Sequence, residues 1–165
     1  MRTAAGDGVA FGLLAERITP ALRRVLFRLG LVEAEIDDSL QEALIRVWQG
    51  SADFKGRAAV STWACRIALN VGISVLRTRK AAPKWQPMAV LDTEAAWERR
   101  RRAEAIRDAV MELPMRLRAV IVLREFEGMS YRTMAEVLSI PVGTVMSRLH
   151  EARSRLRRRL SQLQR

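Results

Sequence analysis

Polar side chains recur at helical spacing in several stretches of the chain, and their types suit contact with a charged polymer. In residues 142–163, Val142, Val145, Leu149, Ala152, Leu156, Leu160 and Leu163 follow steps of three and four, the mark of one buried helix face. At about 100° per residue, the opposite face carries Gly143, Ser147, His150, Glu151, Ser154 and Arg158. Thr144, Arg148 and Arg155 lie beside that face, and Met146 flanks its other edge. Short polar groups ringed by guanidinium groups are what a helix needs to meet base edges and phosphates in a DNA groove. The same pattern also describes a solvated face of a helical bundle. Glu151 suits either the amino group of a cytosine or an ion pair with Arg155 one turn on. Arg66, Asn70 and Arg77, four and seven residues apart, make a second polar stripe.

Other chemistries are absent from the residue inventory. Cys65 is the only cysteine and His150 the only histidine among 165 residues, so neither a Cys/His metal cluster nor a disulfide framework is expected. No P-loop, nucleophile elbow or Gly-rich dinucleotide fingerprint occurs, and the carboxylates form no recognisable acid–base pair. The expectation is a protein without cofactor or metal that is not an enzyme. No apolar run approaches the ~18–20 residues of a membrane span, and residues 1–10 lack the apolar core of a secretion signal. Lys and Arg number 29 against 18 Asp and Glu, a net charge of +11, and only Lys55, Lys80 and Lys84 are lysines. Such an arginine excess favours phosphate contact.

The elements that must position these residues read as helices throughout. A first helix covers about 11–29, with Pro20 expected to kink or divide it and Gly30 to close it. A second covers about 33–49 on the stripe Ile36, Leu40, Leu44, Val47 and Trp48. Residues 50–57 read as a loop holding Phe54 and Lys55. A third helix covers about 59–80 on Val60, Trp63, Ala64, Ile67 and Val71, with Trp63 read as core and Cys65 as a small buried residue. Pro83 and Pro87 then interrupt the pattern, which resumes softly at Glu94. Ser130 suits the N-cap of a short helix at about 131–138, Ser139-Ile140 form a turn, and Pro141 suits the start of the next helix. The expected fold is all-α: two small helical domains, 1–82 and 104–165, joined by a flexible linker at 83–103.

The run Leu113-Pro114, Val120–Tyr131 and Ile140–Arg153, which contains Arg124-Glu125-Phe126-Glu127-Gly128 and Pro141-Val142-Gly143-Thr144-Val145, resembles region 4 of bacterial sigma factors. The likeness is strongest to the extracytoplasmic-function group of the sigma-70 family. The first half is similar to region 2 of the same family, in Asp37-Asp38-Ser39-Leu40-Gln41-Glu42 through Trp48, Phe54-Lys55-Gly56, Ser61-Thr62-Trp63 and Arg66–Asn70 to Leu76-Arg77. Both domains occur in family order.

The resemblance implies an alternative sigma factor that binds core RNA polymerase and directs promoter-specific initiation. It implies that Met146, Ser147, His150 and Glu151 meet bases of the −35 element, with Thr144, Arg148 and Arg155 at or beside the phosphates. Met146 stands where the family usually has Lys or Arg, and Glu151 where a basic residue is frequent. At the −10 element, the resemblance assigns Phe54 and Lys55 to a specificity loop and Arg66, Asn70 and Arg77 to the opened strand; Phe54 as a local core plug fits its residue type equally well. Ser74 replaces an often acidic residue. Asp37, Asp38, Gln41, Glu42, Ile45 and Trp48 match the surface that meets the β′ clamp helices. The helix macrodipole by itself also accounts for acids at a helix start, and Ser39 stands where an aliphatic residue is preferred. The implied partners are core RNA polymerase, through the β′ clamp helices and β flap, promoter DNA and an anti-sigma factor, with no small-molecule substrate. The implied location is the bacterial cytoplasm, with the anti-sigma factor as a route to membrane tethering.

Residues 83–103, fully extended at ~3.3 Å each, span about 70 Å, or roughly 20 bp of duplex at 3.4 Å per step. That suffices to bridge two promoter elements. Two other functions share parts of the pattern: a stand-alone helix-turn-helix regulator, and a sigma-like decoy that sequesters an anti-sigma factor. The first predicts a ligand-binding or dimerising first domain, and the second a degraded recognition face.

Overall fold

The computed structural model describes residues 7–56, 58–79 and 94–163, and every regular element among them is helical. The chain divides into two compact units, one built on the first three helices and one on the bulk of the later ones.

In the first unit, α1 (Gly8–Leu29) starts at Asp7, whose carboxylate accepts from the Val9 and Ala10 amides at 3.1 and 3.0 Å. It ends at Gly30, whose φ of 103° lies in the left-handed region where a side chain is disfavoured. Contrary to expectation, α1 runs on through Pro20 without dividing. Pro20 and Glu16 are both exposed, so the carbonyl that loses its amide donor can be hydrated. α2 (Glu33–Gly50) opens with the Val32 amide donating to Glu35 at 2.9 Å. α3 (Val60–Thr78) packs against both. Leu22, Leu26, Leu29, Leu31, Ile36 and Leu69 are almost wholly buried, each contributing about 1.5–3 kcal/mol of transfer free energy.

The expected α3 stripe is only partly correct. Ala64 and Val71 are buried, but Val60, Trp63 and Ile67 are half-buried, while Cys65, Ala68, Leu69 and Gly72 sit in the core. Two helices press on α3, so its buried face is wider than one stripe and is lined by small residues. At Gly72 a Cβ would lie 2.8 Å from Leu26 Cδ2. Beyond α3, the Arg79 Nε donates to Glu35 Oε1 at 3.0 Å, and its two Nη groups reach the Gly30 carbonyl at 3.2 and 3.3 Å. Burial pushes the Glu35 carboxyl up, but the Arg79 fork and the Val32 amide outweigh it and hold it below the usual carboxylate range.

The second unit contains α4 (Glu94–Met111), α5 (Met115–Ile121), a π-helical turn (Val122–Phe126), the first part of α6 (Tyr131–Leu138) and α7 (Val142–Leu163). α4 starts at the soft boundary expected at Glu94, inside the stretch assigned to the linker. Residues 80–93, with Pro83 and Pro87, and Arg57 of the 50–57 loop lie outside the described residues. The core holds Leu117, Ile121, Leu123, Met134, Val145, Leu149 and Ala152. Val142, expected in the buried stripe, is 40% exposed because it opens α7 ahead of the packed turns. The side chain of Leu163 lies outside the described residues.

Candidate nucleic-acid and partner interfaces

The turn between α6 and α7 is built by local chemistry. The Thr133 amide donates to the Ser130 hydroxyl at 3.1 Å, capping α6. Ser139 takes φ 54°, and the Ile140 amide donates back to the Ala135 carbonyl at 3.1 Å, so the chain reverses in two residues. The Pro141 carbonyl accepts from Thr144 and Val145 at 2.9 and 3.1 Å, placing the proline directly before α7. This is the expected helix-turn-helix.

Two side chains of the π-helical segment, Arg124 and Glu125, tie it to the start of α6 and to α7. Arg124 donates to the Met129 carbonyl at 2.8 Å, and its guanidinium lies 5.0 Å from the Tyr131 ring centre. Glu125 accepts from Arg153 Nε and Nη2 at 3.0 and 2.6 Å. That hydrogen bond is the main reason the Arg153 pKa is raised. Periodicity did not predict this segment, since a π turn leaves no distinctive apolar spacing.

Along α7, Gly143, Met146, Ser147, His150, Arg155 and Arg158 are exposed, and Thr144, Arg148, Glu151 and Ser154 are half-buried. Ser147 donates to the Thr144 carbonyl at 3.1 Å. Of the two alternatives for Glu151, the ion pair is present: Arg155 Nε and Nη2 donate to it at 3.1 and 2.8 Å. Met146 and His150 instead line an open groove of about 520 Å³ with Tyr131, Leu149, Arg153, Ser154 and Arg157. Sequence reasoning put Ser154 on this face but missed Tyr131, Arg153 and Arg157. Arg153 and Arg157 stand seven and eleven residues after Met146, a spacing that brings them back to its side of the helix.

In the first unit, Arg66, Asn70, Ser74 and Arg77 are all exposed along one side of α3. Lys55 is exposed in the loop after α2. The Phe54 ring lies 4.9 Å from that of Trp63 at an interplanar angle of 37°, and both are half-buried. Trp63 in turn covers Gly50, where a Cβ would lie 2.9 Å from its ring. Phe54 is therefore backed by an aromatic partner while part of it stays open.

The outer side of α2 carries a groove of about 500 Å³ lined by Phe11, Asp37, Leu40, Gln41, Leu44, Ile45 and Trp48. Phe11, on α1, was missed from sequence; it meets Trp48 edge-on, with ring centres 4.9 Å apart. Ile45 is 43% exposed, a large apolar side chain open to solvent. Asp37 accepts from Arg23 at 2.8 Å, Glu42 pairs with Arg46 at 2.7 Å, and Asp38 is exposed. Arg23 also pairs with Glu33. Ser39, the residue unusual for this surface, is 2% exposed and its hydroxyl has no hydrogen-bond partner among the described residues. It faces the core and is not among the residues that line the groove. Among the described residues, no group of three or more potential metal ligands occurs, and no helix is long and apolar enough to cross a membrane.

Comparison with known proteins matches both units. The model for Sigma-70 region 2 covers residues 14–82, and that for Sigma-70 region 4 covers residues 103–156. The chain is 36% identical over 162 residues to the ECF RNA polymerase sigma factor SigM of Mycobacterium tuberculosis, spanning 96% of this chain and 81% of the relative. It is 31% identical over 177 residues to the RNA polymerase sigma-H factor of Pseudomonas aeruginosa, spanning 98% and 92%. Among solved structures it is similar to CnrH in complex with the cytosolic domain of CnrY, with TM-score 0.75, 29% identity and coverage of 97% and 93%. The fold also matches RpoE of Bartonella quintana, solved with the anti-sigma factor NepR, at TM-score 0.73 and 21% identity over 92% and 97%.

Proposed function

Because the chain belongs to the extracytoplasmic-function group of sigma-70 RNA polymerase sigma factors, we propose a division of its labour among three surfaces. As an alternative sigma factor it binds core RNA polymerase and promoter DNA and directs transcription initiation. The α2 groove, with Asp37, Asp38, Gln41, Glu42, Ile45 and Trp48, docks on the β′ clamp helices. Phe54, Lys55, Arg66, Asn70 and Arg77 hold the opened −10 strand. The polar side of α7, with Thr144, Met146, Ser147, Arg148 and His150, reads the −35 duplex. Residues 1–82 act as the docking and melting domain and 104–165 as the duplex reader, with 83–103 as the connection.

The observation that carries this reading is the exposure of Arg66, Asn70, Ser74 and Arg77 as one stripe on α3, separate in the chain from the arginine-flanked helix-turn-helix. A stand-alone duplex reader has no use for such a stripe in its first domain. The work is non-enzymatic: strand opening is driven by capture of unpaired bases, which stack on aromatic groups and pair with cationic ones. It takes place in the bacterial cytoplasm, where polymerase and promoter meet. An anti-sigma factor that covers these surfaces completes the proposal, supported by the likeness to CnrH in its complex with CnrY.

Open-complex footprinting with permanganate and salt-dependent holoenzyme binding to −35 duplexes test the division. Asn70→Ala is expected to lower strand opening and leave duplex binding intact. Arg148→Ala is expected to weaken duplex binding for every sequence and lower the salt slope by about one. Loss of −35 binding in Asn70→Ala, or loss of opening alone in Arg148→Ala, would refute it.

A further inference from the structure

Met146 is 54% exposed on α7, an apolar side chain standing in water in a groove whose other exposed groups, His150, Arg153 and Arg157, are polar. It lies in the groove with Tyr131, His150, Arg153 and Ser154. Arg153 donates to Glu125 at 2.6 Å, which orients its guanidinium along the groove, and Arg157 adds a second cation to the same wall. The neighbouring hydroxyl, imidazole and guanidinium groups can exchange hydrogen bonds with base edges and phosphates. A thioether is only a weak acceptor and cannot. In the major groove one apolar group is displayed, the C5-methyl of thymine. Met146 also has the unbranched, adaptable side chain that follows such a contact.

We infer that Met146 reads a thymine methyl group in the −35 duplex and so sets the sequence preference of this particular chain. The inference rests on the assignment of α7 to the −35 element. Where a lysine or arginine at this position would seek a guanine or a phosphate, methionine selects a T·A pair by burying its methyl. Val142, 40% exposed one turn earlier, is the other large apolar side chain open on α7 among the described residues and serves as the internal control.

The test uses holoenzyme assembled from the full chain and core polymerase. A preferred −35 site is selected from a random duplex library, and each thymine in it is replaced singly by deoxyuridine. That exchange deletes the methyl and keeps every hydrogen-bonding group. At one position affinity is expected to fall about fourfold, the worth of one methyl group removed from water. The penalty disappears in Met146→Ala and persists in Val142→Ala. If no thymine shows a methyl penalty, or if the penalty survives Met146→Ala, the inference is wrong although α7 still reads the −35 element. If the holoenzyme selects no −35 sequence at all, the assignment of α7 falls and the inference with it.

Discussion

Two glycines in the first unit show how one substitution changes sign with its surroundings. Gly12 lies inside α1 with nothing within 4 Å of a Cβ. Gly72 lies inside α3, where a Cβ would meet Leu26 at 2.8 Å, Leu29 at 3.4 Å and Leu31 at 3.5 Å, all fully buried leucines. Replacing a helical glycine by alanine gains about 1 kcal/mol in helix propensity. Overpacking a tight core costs about 1–3 kcal/mol. Gly12→Ala is therefore expected to raise stability by up to ~1 kcal/mol, and Gly72→Ala to lower it by about 1 kcal/mol once the propensity gain is subtracted. Urea unfolding of the two variants measures both; equal stabilisation would mean that α3 can move off Leu26 at little cost. The helical period could place Gly72 on a face but could not reveal the leucines against it, because they come from α1 and the turn after it.

At the scale of elements, α7 is held against its unit by two kinds of contact. Arg159 donates to Glu112 at 2.7 and 2.9 Å and Arg153 to Glu125, and these pairs are substantially exposed. Exposed ion pairs contribute about 0–1 kcal/mol each. Val145, Leu149 and Ala152 are fully buried and α7 packs on α4 and α5, and truncating a buried leucine costs about 2–5 kcal/mol. Burial therefore decides the docking of α7. Leu149→Ala is expected to lose several times more stability than Glu112→Gln, as read by thermal unfolding. Glu125→Gln is a different case: its pair carries little stability but orients Arg153 in the groove, so under the proposed role of α7 its effect is expected in DNA binding. The helix-turn-helix itself was legible to within a residue, because Ser130, the two-residue turn and Pro141 act through bonds within a few residues.

For the whole molecule, the proline-bearing stretch 83–93 stands between two units that each bury their own apolar residues. Residues 1–82 and 104–165 are expected to fold independently. Limited proteolysis should cut between Ala81 and Thr93 and leave two resistant fragments that retain helical circular dichroism. A chain that resists cleavage there and unfolds in a single cooperative step would contradict this. Independent folding would let the two readers adapt to promoters whose elements are spaced differently.

The sequence by itself determined the all-helical class, the positions of α1, α2, α3, α6 and α7, the start of α4 and the identity of the family; α5 and the π-helical turn after it left no separate signal. Apolar period, caps and prolines act over a few residues and leave their signature in neighbouring positions. Tertiary structure alone decided which flank of α7 closes a groove with Tyr131, that Phe11 reaches Trp48, and that Ser39 turns inward. It also decided that α3 packs through Ala68, Leu69 and Gly72. A helical period gives the angle of a side chain about its own axis. What that side chain meets depends on elements tens of residues away, and their distance and rotation are set only when the cores close.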